Sequence, residues 1–475
     1  MDRMLEEVDV VESRGDPADT EITSIEFDSR QVGPGALFCC LPGARGDGHD
    51  HAGEAVARGA AALLVERPLD LEVPQVVVRP GAARASMARV AGALFGYPAR
   101  SLVAVGVTGT NGKTTVTHLL ASVFEAAGWP TTVIGTLDGA RTTPESAVLQ
   151  RLLAEARDSG RRAAAMEVSS HALTQSRVDG IRFDAAVFTN LSHDHLDYHR
   201  TMESYFDAKA SLFVPDRAAL AVVNGDDTWG RRLLDQIAIA SVPYRASDAT
   251  DVEASSGRTA FSWRGRRVEL SLSGSLQVTN ALAAATTAAA LGVPEDTVVA
   301  GLRAAVPVPG RFEVVDSSSP ATVVVDYAHT PDALAVALDS ARRLAPGGKV
   351  ICVFGCGGDR DHAKRPLMAR VANAGADVVV VTSDNPRGED PQSIIDEIVT
   401  GFDDRSSVIV EAERAAAIRR ALELASSGDV VVVAGKGHET TIDAGGRRTP
   451  FDDRRVVVDV AARLAARSDP RGDGG

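Results

Sequence analysis

The chain has 475 residues, with 50 Lys plus Arg against 64 Asp plus Glu, a net charge of −14 and 44% hydrophobic residues. Room for about three domains at roughly 150 residues each excludes a small stapled scaffold, and ordinary apolar and charged fractions exclude global disorder. The acidity excludes a non-specific electrostatic grip on nucleic acid or an anionic membrane, so an anionic ligand must be held locally.

Four cysteines (Cys39, Cys40, Cys352, Cys356) are too few and too irregular for a disulfide framework or a four-thiolate metal site, which suits a reducing cytoplasm. Residues 1–19 are acidic and lack a signal-peptide core, and no run approaches the roughly 18 apolar residues of a membrane span. The expectation is a cytoplasmic protein with no integral membrane segment.

In chain order, short apolar runs fall at 102–107, 163–166, 185–188, 220–223, 322–325, 350–354, 378–381 and 430–434. Such runs suit strands buried on both faces of a parallel sheet. Helical patterns alternate with them at 114–127, 145–158, 331–344, 364–374 and 412–425. The fold class is α/β with doubly wound sheets. Tyr97-Pro98 and the Pro/Gly-rich segment 305–311 mark boundaries, giving modules 1–98, 99–310 and 311–475. Residues 259–272 alternate around Arg264-Gly265 and predict a hairpin decorating the central sheet. Only the tail 468–475 has a disordered composition.

The sharpest motif is VGVTGTNGKTT at 105–115, an apolar strand running through a glycine-rich turn into a helix. Backbone N–H groups from Thr110 through Asn111 and Gly112 to Lys113 can cradle phosphate oxygens, Lys113 can reach the β- and γ-phosphates, and Thr114 can bind Mg²⁺. The spacing departs from the strict phosphate loop, since Gly106 lies one residue too far back. MEVSSHAL (166–173) and TNLSHDHLDYH (189–199) follow two further strands, where open α/β sheets bind ligands. Glu167 is a hard oxygen ligand for Mg²⁺. His195 can complete a second metal site, with Asp194, Asp197, His193 and His199 around it; three histidines in seven residues also mimic a zinc site. Lys209 shares a helical face with Tyr205, Phe206, Leu212 and Phe213. Read from the residues alone, it either snorkels to water or is a buried amine of depressed pKa, able to add CO₂ and become an anionic carbamate that binds Mg²⁺.

These segments, with PGRFE (309–313), DYAHTPDAL (326–334), FGCGGDRDHAKRP (354–366), TSDNPR (382–387) and AGKGHE (434–439), resemble the Mur ligases, ATP-dependent amide-forming enzymes of peptidoglycan assembly. The resemblance runs from Asp28-Ser29-Arg30 to Phe451-Asp452-Asp453. It implies three domains: an N-terminal one for the UDP-linked substrate, a central P-loop ATPase-like one, and a Rossmann-like C-terminal one that carries the amino acid. It also implies ATP and Mg²⁺ as cofactors. UDP-N-acetylmuramoyl-L-alanyl-D-glutamate and 2,6-diaminopimelate are the implied partners.

By the same resemblance Lys113, Glu167, His195 and Lys209 are catalytic, with Lys209 carbamylated. Thr114, Glu167, His195 and Lys209 hold metal. Gly109 to Thr115 (Gly109, Thr110, Asn111, Gly112, Lys113, Thr114, Thr115) with Asn280, Arg311 and Asp326 hold ATP. Ser29, Thr142, Thr143, Ser169, Gln175 and Arg177 hold the UDP-linked dipeptide. Arg360, Asp384, Asn385, Pro386, Arg387, Gly435 and Glu439 hold the amino acid. Three alternatives stay beside this: a folylpolyglutamate synthase-like ligase, a Mur-ligase-like enzyme of another amide-forming pathway, and a nucleotide-binding relative without catalysis.

Overall fold

The computed structural model describes residues 1–16, 19–43, 46–137, 141–255, 257–274 and 276–468. The biased tail beyond Ser468 and the residues Asp138, Gly139 and Ala140 before Thr142 lie outside the described residues.

Three large sheets carry the chain, each built from short Val- and Ala-rich strands. The N-terminal sheet runs in the order Val10–Arg14, Gln75–Val78, Ala60–Val65, Ala36–Cys39, Ser24–Glu26, parallel except at its first pair. The central sheet is parallel throughout, in the order Ala240–Tyr244, Leu220–Asn224, Ala185–Phe188, Val103–Thr108, Ala163–Glu167, Thr131–Ile134. Its first strand in sequence is therefore interior, flanked by two later ones. The chain switches sides there, and ligands bind outside the carboxyl ends of strands at such a switch. The C-terminal sheet runs Glu313–Val315, Thr322–Asp326, Val430–Ala434, Val350–Phe354, Val378–Val381, Val408–Val410, with only the first pair antiparallel.

The hairpin expected at 259–272 forms, as Arg258–Trp263 paired with Arg266–Leu270, but it does not extend the central sheet. A third strand, Ala249–Ser255, joins it in a separate antiparallel sheet. Phe261, Trp263, Val268 and Leu270 are buried in one core with Val116, Leu119 and Leu120 of the helix Lys113–Ala126. The alternation that marks the hairpin thus buries one face against helices. The four cysteines are all buried as free thiols. Among the described residues no helix is long and apolar enough to cross a membrane.

Several helices open on a side-chain cap. Thr330 Oγ1 accepts from Ala333 N at 3.2 Å ahead of Pro331–Leu344, and the Thr201, Asp227 and Asp390 side chains do the same for their helices. The helix Lys113–Ala126 starts instead at Gly112, with no side-chain cap. Its first N–H groups therefore remain open to an outside acceptor.

One buried ion pair ties the C-terminal sheet to the last helix, Asp453–Ser468. Arg414 Nε and Nη2 donate to the two carboxylate oxygens of Asp453 at 2.7 and 2.8 Å, and both side chains are wholly buried. Arg414 also donates to the carbonyls of Ser383 (3.2 Å) and Ala434 (2.9 Å). Asp453→Ala strands a guanidinium in the core, so a loss of about 3–5 kcal/mol is expected, read as a fall in the urea midpoint. A loss below about 1 kcal/mol would mean that water or a neighbour compensates the charge.

Candidate active site

Three adjacent strand ends build the centre of the site. Val107 is in register with Glu167 on one side and Val187 on the other, so the phosphate loop, Glu167 and the segment Thr189–His195 emerge together. The loop turns tightly: Gly112 has φ +88°, and a Cβ there would lie 2.6 Å from Asn280 Oδ1. Only glycine meets both demands.

The loop N–H groups are not all free for phosphate as the sequence suggests. Thr110 N donates to the Asn190 carbonyl and Asn111 N to Asn190 Oδ1, each at 2.9 Å. Asn190, missed in the sequence, braces the loop, and the open donors are those of the helix start from Gly112 onward. Lys113 Nζ donates to the carbonyls of Gly109 (2.7 Å) and Thr110 (2.8 Å). Reaching a phosphate requires it to exchange these partners.

Thr114 and Glu167 form one half of the polar centre. Thr114 Oγ1 donates to Glu167 Oε1 at 3.1 Å and accepts from Arg311 Nη2 at 2.9 Å. Thr136 N donates to the same Glu167 oxygen at 2.8 Å. A cationic group therefore already sits against this hydroxyl–carboxylate pair, and the pair's hard oxygens suit Mg²⁺.

Lys209 and His195 lie on the other flank. Lys209 is 1% exposed; its Nζ donates to the Gly109 carbonyl at 2.8 Å and lies 4.7 Å from the Tyr205 ring centroid. Burial, reinforced by the Lys113 charge, pushes its pKa well below the usual lysine range. His195 packs edge-on to His171 at 4.9 Å between ring centroids, and burial pulls its pKa down to about 3, which keeps it neutral as a metal ligand must be. The histidines of 193–199 do not converge as a zinc site. His193 pairs with Asp361 (2.8 Å), His195 with Asp194 (3.3 Å) and His199 with Ser170 Oγ (2.8 Å). Among the described residues no three His, Cys, Asp or Glu side chains form a metal cage. Mg²⁺ does not need one, because it is commonly held by one or two carboxylates plus substrate phosphates.

A cavity opens beside the loop, lined by Asn111, Gly112, Thr114, Thr115 and Asn280 of the central part and by Arg311 and Asp326. The Arg311 guanidinium lies 4.4 Å from the Tyr327 ring centroid. Asp326 accepts from Phe312 N (2.6 Å) and Ala328 N (2.9 Å), and burial raises its pKa.

A second cavity joins the phosphate side to the C-terminal sheet. Thr142 and His195 line it together with Arg360, Asp384, Asn385, Arg387, Gly435 and Glu439. Pro386 is not among its lining residues, although its neighbours on both sides are. Gly435 has φ +113°, and a Cβ there would lie 2.6 Å from Asp384 Oδ2. Arg387 does not pair with the nearby acids: its Nη1 donates to the Gly358 carbonyl (2.7 Å), Glu389 pairs with Arg365 (2.9 Å), and Asp390 caps the helix Pro391–Val399. Arg360 is exposed and bonds only weakly to the Asp359 carbonyl (3.4 Å).

Thr143, Ser169, Gln175 and Arg177 form one bonded cluster. Arg177 donates to the Thr143 carbonyl (2.9 Å) and Gln175 Oε1 (2.7 Å), and Thr143 Oγ1 donates to the Glu167 carbonyl (2.8 Å). Ser169 N donates to Thr143 Oγ1 at 3.1 Å. Glu145, missed in the sequence, anchors the cluster through Arg177 (3.1 Å) and reaches the N-terminal part through Arg84 (2.9 Å). Ser29 stands apart: its Oγ donates to Glu54 Oε2 at 2.8 Å, and it lines neither cavity.

Three family models match in succession, described as the Mur ligase family catalytic domain over residues 21–95, the Mur ligase middle domain over 107–288 and the Mur ligase glutamate ligase domain over 310–437. A UDP-N-acetylmuramoyl-L-alanyl-D-glutamate–2,6-diaminopimelate ligase of Geobacillus kaustophilus is 46% identical, covering 92% of this chain and 94% of its own. The chain belongs to the Mur ligase family. A ligase of the same name from Aquifex aeolicus is 42% identical, over 92% and 93% of the two chains. A solved structure of a ligase of that name superposes with a TM-score of 0.64 at 33% identity, covering 94% of this chain and 95% of that one. The match at 21–95 gives this Mur ligase the N-terminal module whose presence argues against the folylpolyglutamate synthase-like reading.

Proposed function

We propose that this Mur ligase is an ATP-dependent, ADP-forming ligase. It joins 2,6-diaminopimelate to the D-glutamyl γ-carboxylate of UDP-N-acetylmuramoyl-L-Ala-D-Glu, in peptidoglycan precursor synthesis in the cytoplasm. The observation that carries the reading is the second cavity, whose lining brings Thr142 and His195 together with Arg360, Arg387, Asp384 and Glu439 among its charged residues. Identity of 46% to a relative named for this reaction supports it. We assign residues 1–98 to the UDP-linked substrate, 99–310 to ATP and 311–475 to the amino acid.

A free carboxylate is a poor acyl donor, so the reaction needs activation. One γ-carboxylate oxygen attacks the γ-phosphorus of ATP, the bond to ADP breaks, and an acyl phosphate results. The open N–H groups from Gly112 onward and Lys113 hold the nucleotide phosphates and stabilise the charge on the transferring group. When bound, Mg²⁺ supplies further positive charge there, and Thr114, Glu167, His195 and Lys209 would hold it, the last as a CO₂-derived carbamate. Asn280, Arg311 and Asp326 orient the rest of ATP in the first cavity. Thr142, Thr143, Ser169, Gln175 and Arg177 place the acceptor dipeptide, with Ser29 toward its uridine end. The amine of the amino acid then attacks the acyl carbon, loses a proton, and expels phosphate from the tetrahedral intermediate. Its far end is gripped by Arg360, Asp384, Asn385, Arg387 and Glu439, with the chain turning at Pro386 and Gly435.

The test is ADP release with the UDP-linked dipeptide and a panel of amino acids. Lysine lacks the second carboxylate of diaminopimelate and would face Arg387 with a lone cation. Losing a desolvated charge pair costs on the order of 2–5 kcal/mol, so meso-diaminopimelate should exceed L-lysine in kcat/KM by roughly thirtyfold to several thousandfold. Arg387→Ala should remove most of that preference. Comparable values for the two amino acids, or an unchanged preference in the variant, would defeat the assignment.

A further inference from the structure

Lys436 lies behind the second cavity. Its side chain is fully buried and does not line the cavity, yet it contacts three residues that do. Its Nζ donates to Glu439 Oε2 at 2.9 Å, Asn385 Oδ1 at 3.2 Å and the Thr441 carbonyl at 2.7 Å, and it stands 4.0 Å from Asp384 Oδ1. An ammonium has three donors, and all three are committed. Asn385 Oδ1 also accepts from Asp443 N at 3.0 Å, which turns its amide oxygen inward and leaves Nδ2 to donate to Glu439 Oε2 at 2.7 Å. Both bonds received by Glu439 thus fall on one oxygen, while 30% of its side chain stays exposed to the cavity.

Asp384 and Glu439 bring two carboxylates to this wall, and Lys436 behind them brings the ammonium that bonds Glu439 and stands near Asp384; Arg360, Lys364 and Arg387 line the same cavity, with Asp194, Asp197 and Asp361. That distribution suits a ligand end that carries one ammonium and one carboxylate. Without Lys436 the Asp384–Glu439 pair would lose the ammonium bonded to it, and the wall would be more negative by one charge. It would then favour a purely cationic end and repel a carboxylate.

We propose that Lys436 is a positioning and specificity-determining residue: it aims Glu439 and Asn385 and cancels one carboxylate charge, so that the cavity selects a zwitterionic side-chain end over a cationic one. The inference rests on the cavity being the diaminopimelate pocket. That reading is tested first, with the wild-type enzyme, and fails by itself if diaminopimelate is not ligated.

The test compares kcat/KM for meso-diaminopimelate and L-lysine in Lys436→Met, Lys436→Gln and Lys436→Arg. The two neutral variants should lower the diaminopimelate-to-lysine ratio by about tenfold or more, a change of about 1.4 kcal/mol, with KM for ATP within about twofold of wild type. Lys436→Arg keeps the cation and should keep most of the ratio. A lysine that only pins the hairpin Thr441–Ala444 with Arg447–Pro450 would change both amino acids by the same factor, and that result overturns the proposal. The glutamine keeps N–H donors for Glu439 and Thr441, so it remains informative if the methionine variant is poorly folded. Failure of both neutral variants to fold, seen by thermal melting, would make Lys436 a folding residue and count against a role in selection.

Discussion

Glu167→Ala is expected to lower kcat for ADP formation by about 10³-fold or more, the scale of losing an electrostatic group that acts on the transferring phosphoryl. The carboxylate ends its strand, is 1% exposed, and accepts from Thr114 and from the Thr136 backbone. Alanine removes the carboxylate that accepts from the Thr114 hydroxyl and the Thr136 N–H. Nucleotide affinity should survive, because the helix start after Gly112 and the cavity lined by Asn280, Arg311 and Asp326 lie outside the deletion. Single-turnover kinetics with a fluorescent nucleotide separate the two quantities. Turnover within about tenfold of wild type, under saturating Mg²⁺, would remove Glu167 from the phosphoryl-transfer step.

Lys209→Ala should be inactive by a similar factor and partly recover in formate or acetate. Burial lowers the pKa of this amine, and the proposed carbamate follows if its neutral form adds CO₂ with loss of a proton. A short carboxylate can enter the space left by the truncated side chain and supply comparable oxygens. Lys209→Arg should stay inactive and unrescued, since a guanidinium fills the space and offers no anionic oxygen. A fully active arginine variant would show that the site needs only a cation at this point.

The sequence by itself carried the α/β class, most strand and helix positions, and the motifs from which the candidate site was read. Buried parallel strands read as continuous Val/Ala runs, and a glycine-rich turn before Lys-Thr-Thr has few other uses. The strand 163–166 proves one residue longer, ending on Glu167 itself, and the helix expected at 412–425 is Arg414–Leu424, because Glu413 accepts from Ala415 N and Ala416 N and so caps it. Tertiary structure decided what local pattern cannot encode. Asn190 reaches the phosphate loop from 79 positions away, Arg311 reaches Thr114 from 197, and His193 meets Asp361 across 168. The hairpin joined a third strand rather than the central sheet, because alternation names the buried face but not its partner. Lys436 is the clearest case. A lysine between two glycines reads as a solvated loop residue, and only the convergence of Asn385, Glu439 and Thr441 around it shows a buried cation with every donor in use. The physical reason is common to these cases: periodicity and turn chemistry act over a few residues, whereas burial and charge compensation depend on which distant strand ends the fold brings together.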